Sequence, residues 1–205
     1  MRRETDTLDV LVNNAGIGTS GGGSRRGVSA DSFELRFAVN YLAGFLLTRL
    51  LLPDLMKRAP SRIVNVASAG QQAIDVSNVM LARGVSGVSA YCQSKLAQIL
   101  FTIDLAEELK GRNVTVNALH PATYMNTTMV RLSGVRPMST VEEGGEAILK
   151  LVASPALDGK SGLYFSGQRE ARAEAQAYDA TARKRLRALS FDLVGMADPG
   201  TTGHG

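Results

Sequence analysis

The chain has 205 residues, of which 44% are hydrophobic and 20% charged, and its formal net charge is +4. This length and composition predict one globular domain with a buried core and exclude a disordered chain. A single cysteine, Cys92, excludes an internal disulfide framework and suits a reducing cytoplasm. No run of 18 apolar residues and no apolar leader is present, so we expect no membrane span and a cytoplasmic protein.

The positive charge does not predict nucleic-acid binding. Basic residues are dispersed along the chain, and aromatic residues make up only 5% of it. One basic cluster stands out, "RKRLR" at 183–187, which we interpret as the solvated face of a terminal helix.

The first half of the chain alternates strand and helix patterns. "LDVLVNN" at 8–14 is an apolar run that ends in a small polar turn, as a buried parallel strand does. After a flexible glycine-rich loop at 18–27, Ser29 or Asp31 can cap a helix that runs to Arg58. Glu34, three residues beyond Asp31, completes the predicted capping box. "RIVNVAS" at 62–68 predicts the second strand.

The second half continues the alternation, which predicts a parallel sheet with right-handed crossovers. The predicted elements are a helix at 89–110 that ends at Gly111, a strand at 114–121, a helix from Ser139 or Thr140 to Ala153, a short strand at 161–167 and a helix near 171–189. The predicted fold class is therefore α/β.

A small set of polar residues can carry chemistry. Tyr91 and Lys95 are four residues apart on one helix face, and an ammonium near a phenol lowers the phenol's pKa. Such a pair by itself is common and can be simple packing. Ser68 ends a strand where parallel sheets place their ligands. Asn40 interrupts the apolar helix "FAVNYLAGFLL", where an amide needs partners; it can brace a kink in the helix and can also border a water path.

In this order, Asn13-Asn14-Ala15-Gly16, Asn40, Ser68, Tyr91-x-x-x-Lys95 and the late "HPAT" resemble the short-chain dehydrogenase/reductase family. The text "AYCQSKLAQILF…LAEELKGRNVTVNALHPA" and the "SGLYFS…AYD…RLRALS" tail are similar to its retinol-dehydrogenase-like branch. The resemblance implies a Rossmann-like sheet flanked by helices, NAD or NADP as cofactor, no metal ion, and an alcohol or carbonyl substrate.

The resemblance also implies a role for each matching residue. Tyr91 would be the general acid/base, and Lys95 would lower its pKa and hold the nicotinamide ribose. Ser68 would hydrogen-bond the substrate oxygen, and Asn40 would order a water that relays protons to Lys95. The other implied cofactor contacts are Asn14, Ala15 and Gly16 along the adenosine side, and Pro121 and Thr123 over the nicotinamide. Where the family usually has Pro-Gly, this sequence has Pro121-Ala122. The alanine can restrict the backbone conformations available beside the nicotinamide ring.

The family's N-terminal part has no counterpart before residue 8. Members begin with a strand, a glycine-rich turn and a helix, then a second βαβ unit, together roughly sixty residues or more. We therefore expect residues 1–205 to be one partial Rossmann-fold domain without its first strands and glycine-rich turn. That loss would expose the edge of the strand at 8–14 and remove the pyrophosphate site. It would also remove the residue that distinguishes NAD from NADP.

Three interpretations remain open at this point. The chain is part of an oxidoreductase, or it is an inactive relative that binds a partner through a free strand edge, or it restores its cofactor site with another polypeptide. The segments 69–88 and 124–138, which would line the pocket, carry no diagnostic chemistry for one substrate. The helices near 30–58 and 89–110 are apolar over most of their circumference, so we expect a homo-oligomer if the domain is complete.

Overall fold

Five strands form one sheet in the computed structural model, which describes residues 7–19, 27–80 and 86–200. In order along the chain and across the sheet they are β1 (Val10–Asn13), β2 (Ser61–Val66), β3 (Val114–His120), β4 (Tyr164–Ser166) and β5 (Arg169–Ala171). The first four are parallel, and β5 forms an antiparallel hairpin with β4. The predicted α/β fold with a parallel sheet is confirmed.

Five α-helices accompany these strands in the described part of the chain. They are α1 (Ala43–Arg58), α2 (Gly87–Glu108), α3 (Thr128–Leu132), α4 (Val141–Ala153) and α5 (Ala180–Leu193). A π-helical segment, Phe37–Leu42, leads directly into α1, and its wide turn is closed by the bond from Ala43 N–H to the Ala38 carbonyl. Such wide turns inside helices are frequent at functional sites.

The sheet is buried on both faces, as parallel sheets are. Ile63 of β2 packs into the core beneath α1 and α2, whereas Val64 and Val66 pack into a second core with Ala147 and Leu151 of α4. The side of β1 that does not pair with β2 has no strand beside it in the described ranges.

Helix α5 lies over α1 and α2. Phe191 contacts Phe45 with ring centroids 5.2 Å apart, and Ser190 hydrogen-bonds Tyr41 at 2.7 Å. The apolar surface on which the oligomer prediction rested is thus covered in part by the same chain.

The prediction that "RKRLR" forms a solvated face is wrong for two of its four basic residues. Lys184 and Arg185 are exposed, but Arg183 is buried and pairs with Glu107 at 2.8 Å. Arg187 contacts Asp104 and Glu108 of α2, because these positions of α5 face α2 rather than water.

The predicted start of the first helix is also wrong. Ser32 adopts a φ of +68°, so the chain turns at this point and the helix begins only after Glu34. The Glu34 carboxylate accepts the Phe37 N–H at 2.7 Å and caps the helix itself, whereas the Ser29 hydroxyl accepts the Phe33 N–H within the preceding turn. Asp31 therefore caps no helix.

The other helix ends follow the sequence more closely. The capping box of Thr140 and Glu143 at the start of α4 is confirmed. Helix α2 begins earlier than predicted, with Ser86 as its cap, and it ends before Gly111, which turns the chain towards β3 at a φ of +80°. Helix α5 starts only after Asp179, because β5 and a short 3-10 turn use the residues before it.

The predicted loops and the expected absence of a membrane span are the remaining points of comparison with the sequence. Most of the loop at 18–27 and part of the loop at 69–88 lie outside the described residues. Within the described ranges, Phe37–Arg58 has the length and apolar composition of a membrane span, and half of its most apolar window is buried in the protein. Core helices share that length and composition, so this feature alone assigns no membrane.

Candidate active site

The carboxyl ends of β1, β2 and β3 meet at one edge of the sheet, where open α/β sheets bind their ligands. The turn at 14–18 follows β1, Ser68 follows β2, and Pro121 follows β3. The first turns of α2 carry Tyr91 and Lys95 to the same edge.

Ser68 and Tyr91 share one corner of this edge. Ser68 is 8% exposed, and its hydroxyl oxygen accepts the Gly70 N–H at 3.0 Å. A Cβ built on Gly70 would lie 3.6 Å from Ser68 Oγ and 3.7 Å from Tyr91 Cε1, so both side chains lie beside this glycine. Burial raises the pKa of Tyr91, and a hydrogen bond with Ser68 opposes that rise.

Lys95 lies one helical turn further along α2 and is almost fully buried. Its Nζ donates to the Val66 carbonyl at 2.9 Å and to Gln98 Oε1 at 3.0 Å, and it lies 5.9 Å from the ring centroid of Tyr91. Burial lowers the pKa of Lys95 to about 8. The expected lowering of the Tyr91 pKa is not found in this geometry, because burial of the phenol dominates and the ammonium is directed at Val66 and Gln98.

Asn40 has a complete set of hydrogen bonds. Its Nδ2 donates to the Ile17 carbonyl at 3.1 Å and to Ser94 Oγ at 3.0 Å, and its Oδ1 accepts the Ile17 N–H at 2.7 Å. The amide is satisfied, and the side chain braces the turn after β1 against α2. A role in ordering a water stays a prediction.

Gly16 brings that turn close to both buried polar residues. A Cβ at this position would lie 3.2 Å from Asn40 Oδ1 and 3.5 Å from Lys95 Nζ. A side chain here would push the turn away from the amide and the ammonium, so the glycine permits the close approach. Asn14 and Ala15, the neighbouring residues of the turn, are exposed to solvent.

The segment after β3 lies next along the same edge. Pro121 is buried and Thr123 exposed, and Thr123 Oγ1 lies 3.2 Å from His120 Nε2. Burial lowers the pKa of His120. Ala122 does not adopt a positive φ, so its backbone conformation does not require the glycine that the family usually has.

A network of hydrogen-bonded side chains lies in the protein interior next to the site. Asn13 Nδ2 donates to Thr48 Oγ1 at 2.9 Å and to Asn65 Oδ1 at 2.8 Å, and Asn65 Nδ2 donates to Thr102 Oγ1 at 2.8 Å. These bonds link β1 and β2 to α1 and α2, so the first residue of the Asn-Asn-Ala-Gly turn serves the scaffold.

Sequence reasoning missed three supporting residues. Ser94 and Gln98 are polar partners on the buried side of α2, and their spacing from Tyr91 and Lys95 could have indicated this. Fully buried Arg36 donates to the carbonyls of Gly18 and Thr19 and had no sequence signal.

A cavity lies at the opposite end of the sheet. It has a volume of about 610 Å³ and is lined by Leu109, Val114, Gly159 and their neighbours. It contains none of the predicted site residues. The described ranges also hold no cluster of three or more His, Cys, Asp or Glu residues placed to bind a metal ion.

The sequence profile of the family described as short chain dehydrogenase matches residues 1–135. This chain belongs to the short-chain dehydrogenase family. It is 38% identical over 203 residues to Retinol dehydrogenase 11 of Homo sapiens, covering 94% of this chain and 63% of the relative. Identity to Retinol dehydrogenase 13 of Homo sapiens is 37% over 214 residues, with 96% and 63% covered. The chain thus spans less than two thirds of the length of these relatives.

Solved structures show the same fold. An uncharacterised protein from Mycobacterium paratuberculosis superposes with a TM-score of 0.73 at 28% identity, covering 96% of this chain and 70% of that protein. A protein from Pseudomonas syringae described as a short chain dehydrogenase gives a TM-score of 0.62 at 26% identity, with 82% and 64% covered.

Proposed function

We propose that this chain is the catalytic part of an NAD- or NADP-dependent oxidoreductase that interconverts an alcohol and a carbonyl compound. The observation that carries the proposal is that Ser68 Oγ and the Tyr91 ring both lie beside Gly70 at the carboxyl end of the sheet, with Lys95 Nζ 5.9 Å from the centroid of the Tyr91 ring. The nicotinamide cofactor, when bound, supplies or accepts the hydride.

Ser68 and Tyr91 then act on the same substrate oxygen. The raised pKa of Tyr91 keeps its phenol protonated near neutral pH, so it can donate a proton to a carbonyl oxygen as the hydride reaches the carbonyl carbon. In alcohol oxidation the proton moves the other way. Because Ser68 Oγ already accepts the Gly70 N–H, its own hydrogen is available to the substrate oxygen.

The residues at the site fit the nicotinamide and ribose half of the cofactor. The Lys95 ammonium and Tyr91 hydroxyl are suitable donors for a ribose diol, and Gly16 lets the backbone approach them closely. We assign Asn14, Ala15 and Gly16 to one side of the cofactor and Pro121 and Thr123 to the nicotinamide side. Asn40 acts by bracing the Ile17 backbone beside Lys95.

The names of the relatives favour retinol as the first alcohol to test, and the proposal extends only to lipophilic or small alcohols and their carbonyl products. We also propose that the 205 residues belong to a longer polypeptide. Val12 on β1 is 36% exposed, which further chain packed on this face would cover. Homo-oligomer formation and a cytoplasmic location stay predictions of the same proposal.

The Tyr91→Phe variant of the longer polypeptide tests this assignment. Removal of the proton donor should lower kcat at least about a hundredfold with retinol and NAD or NADP, while the cofactor dissociation constant changes by less than about twofold. Steady-state kinetics and cofactor titration measure both. Tyr41→Phe, which removes a hydroxyl that bonds Ser190 of α5, is the matched control and should keep full activity. Activity retained by Tyr91→Phe would contradict the assignment.

A further inference from the structure

Two side-chain donors, one buried and one half-buried, converge on the backbone carbonyl of Ser68. Tyr164 Oη donates to it at 3.1 Å, and Gln71 Nε2 donates to it at 2.9 Å. Tyr164 is 5% exposed, and burial raises its pKa to about 12, so its hydroxyl stays protonated and remains a donor over the working range of an enzyme. Neither side chain belongs to the proposed proton-transfer set.

The same loop is tied to the C-terminal part of the chain at two further points. Gln71 Oε1 accepts the Glu174 N–H at 2.7 Å. Gln176 Oε1 accepts the Ile74 N–H at 2.7 Å, and its Nε2 donates to the Ile74 carbonyl at 2.9 Å. Four hydrogen bonds therefore join the segment 68–74 to the segment 164–176, which lies about a hundred residues later in the chain.

This attachment matters because Ser68 is a loop residue. Strand β2 ends at Val66, so no strand pairing holds the Ser68 backbone. A reacting hydroxyl must be held within about half an ångström of its productive position, and neighbouring hydrogen bonds supply that restraint. We propose that Tyr164 and Gln71 are positioning residues that hold the Ser68 hydroxyl in register with Tyr91 and the substrate oxygen. This inference rests on the proposed function.

A double-mutant cycle tests the proposal in the longer polypeptide. Tyr164→Phe removes only the hydroxyl, and we expect kcat to fall about tenfold with little change in the KM for the cofactor. In the Ser68→Ala background the same substitution should change kcat by less than about twofold, because the residue acts through Ser68. Tyr41→Phe is the matched control: it also removes a buried hydroxyl, but one that bonds Ser190 of α5 and not the carbonyl of Ser68.

A second measurement needs no turnover and uses the 205-residue chain. The hydrogen bond with Ser68 lowers the pKa of Tyr91, so displacement of Ser68 raises it. NMR titration of the chain labelled with ¹³C-tyrosine should show a higher Tyr91 pKa in Tyr164→Phe and in Ser68→Ala, with no further rise when both changes are combined. Tyr41→Phe should leave the Tyr91 pKa unchanged.

The outcomes separate this inference from the proposed function. If Tyr91→Phe abolishes turnover while Tyr164→Phe keeps full activity and an unchanged Tyr91 pKa, the positioning role is overturned and the oxidoreductase assignment stands. An equal loss of kcat in both Ser68 backgrounds would also overturn it, because Tyr164 would then act through general stability. If Tyr91→Phe keeps its activity, the proposed function fails, and the Tyr91 titration alone decides whether Tyr164 positions Ser68.

Discussion

Lys95 places a cation where water has little access. The side chain is 5% exposed, and burial lowers its pKa from 10.5 to about 8. A shift of this size corresponds to about 3 kcal/mol of lost stability whenever the group is charged in both the folded and the unfolded chain. The Val66 carbonyl and Gln98 accept hydrogen bonds from Nζ, yet these bonds do not restore the ordinary pKa. A buried cation of lowered pKa at the carboxyl edge of the sheet makes Lys95 a candidate functional residue.

Replacement of Lys95 by methionine should change how stability depends on pH. The folded pKa lies below the unfolded one, so between about pH 8 and 10.5 the unfolded chain binds more protons and the free energy of unfolding rises with pH. Relative to Lys95→Met, wild type should gain up to about 3 kcal/mol over that window. Urea unfolding of both proteins at pH 7 and pH 10.5 measures the difference. Parallel pH profiles would contradict the buried ammonium.

Some features of the site residues could be predicted from the sequence, and others could not. The four-residue spacing of Tyr91 and Lys95 fixes their shared helix face, and Ser68 follows from its place after an apolar strand. The direction of the ammonium depends on Val66 and Gln98, whose contacts form only in the folded chain. Tyr164 reaches Ser68 across the chain and carries no local signal at all.

At the scale of elements, Asn40 joins three parts of the fold. It sits in the π-helical segment before α1, holds both polar groups of the Ile17 backbone and bonds Ser94 on α2. This arrangement explains why a polar amide is found in an apolar helix. The Asn40 side chain bonds the N–H and carbonyl of Ile17, which lie in a turn and have no neighbouring strand to bond them.

The Asn40→Ala variant should therefore lose stability as well as activity. It leaves the partly buried N–H and carbonyl of Ile17 without these side-chain partners, at up to about 1–3 kcal/mol for each group. We expect the free energy of unfolding to fall by about 2–4 kcal/mol in denaturant titrations. Asn126→Ala is the matched control, since that exposed side chain bonds only Arg131 in the described residues, and its loss should cost less than about 0.5 kcal/mol. Equal losses for both variants would disprove the bracing role.

Strands and helices differ in how well the sequence predicts them. The strands follow from short apolar runs bounded by turn residues, and α4 follows from its capping box. The first helix begins later than predicted because Ser32 turns the chain and Glu34 serves as the cap. The position of α5 depends on Arg187 and Phe191, whose partners on α1 and α2 lie far away in sequence.

At the scale of the whole molecule, the site is built from one end of the sheet, and residues 7–19, 27–80 and 86–200 present no glycine-rich turn into a helix that could bind the cofactor's pyrophosphate. Phosphates bind at free helix N-termini, where backbone N–H groups and the helix dipole favour negative charge. The helix that follows β1 begins at a cap formed by the buried Glu34 carboxylate on Phe37 N–H. A carboxylate at this position both occupies a donor and repels a phosphate, so this helix cannot replace a glycine-rich turn.

The 205-residue chain alone should therefore bind NAD(H) and NADP(H) weakly and be at best feebly active. Charge-assisted hydrogen bonds to a pyrophosphate contribute roughly 1.5–3 kcal/mol each, so loss of two weakens binding by about 3 kcal/mol or more, a hundredfold at least. Calorimetry on this chain and on the longer polypeptide measures the difference. Lys95→Met should remove the weak binding that remains, because the ribose contacts carry it. A micromolar dissociation constant for the short chain would contradict the prediction and show that residues 1–205 hold the pyrophosphate themselves.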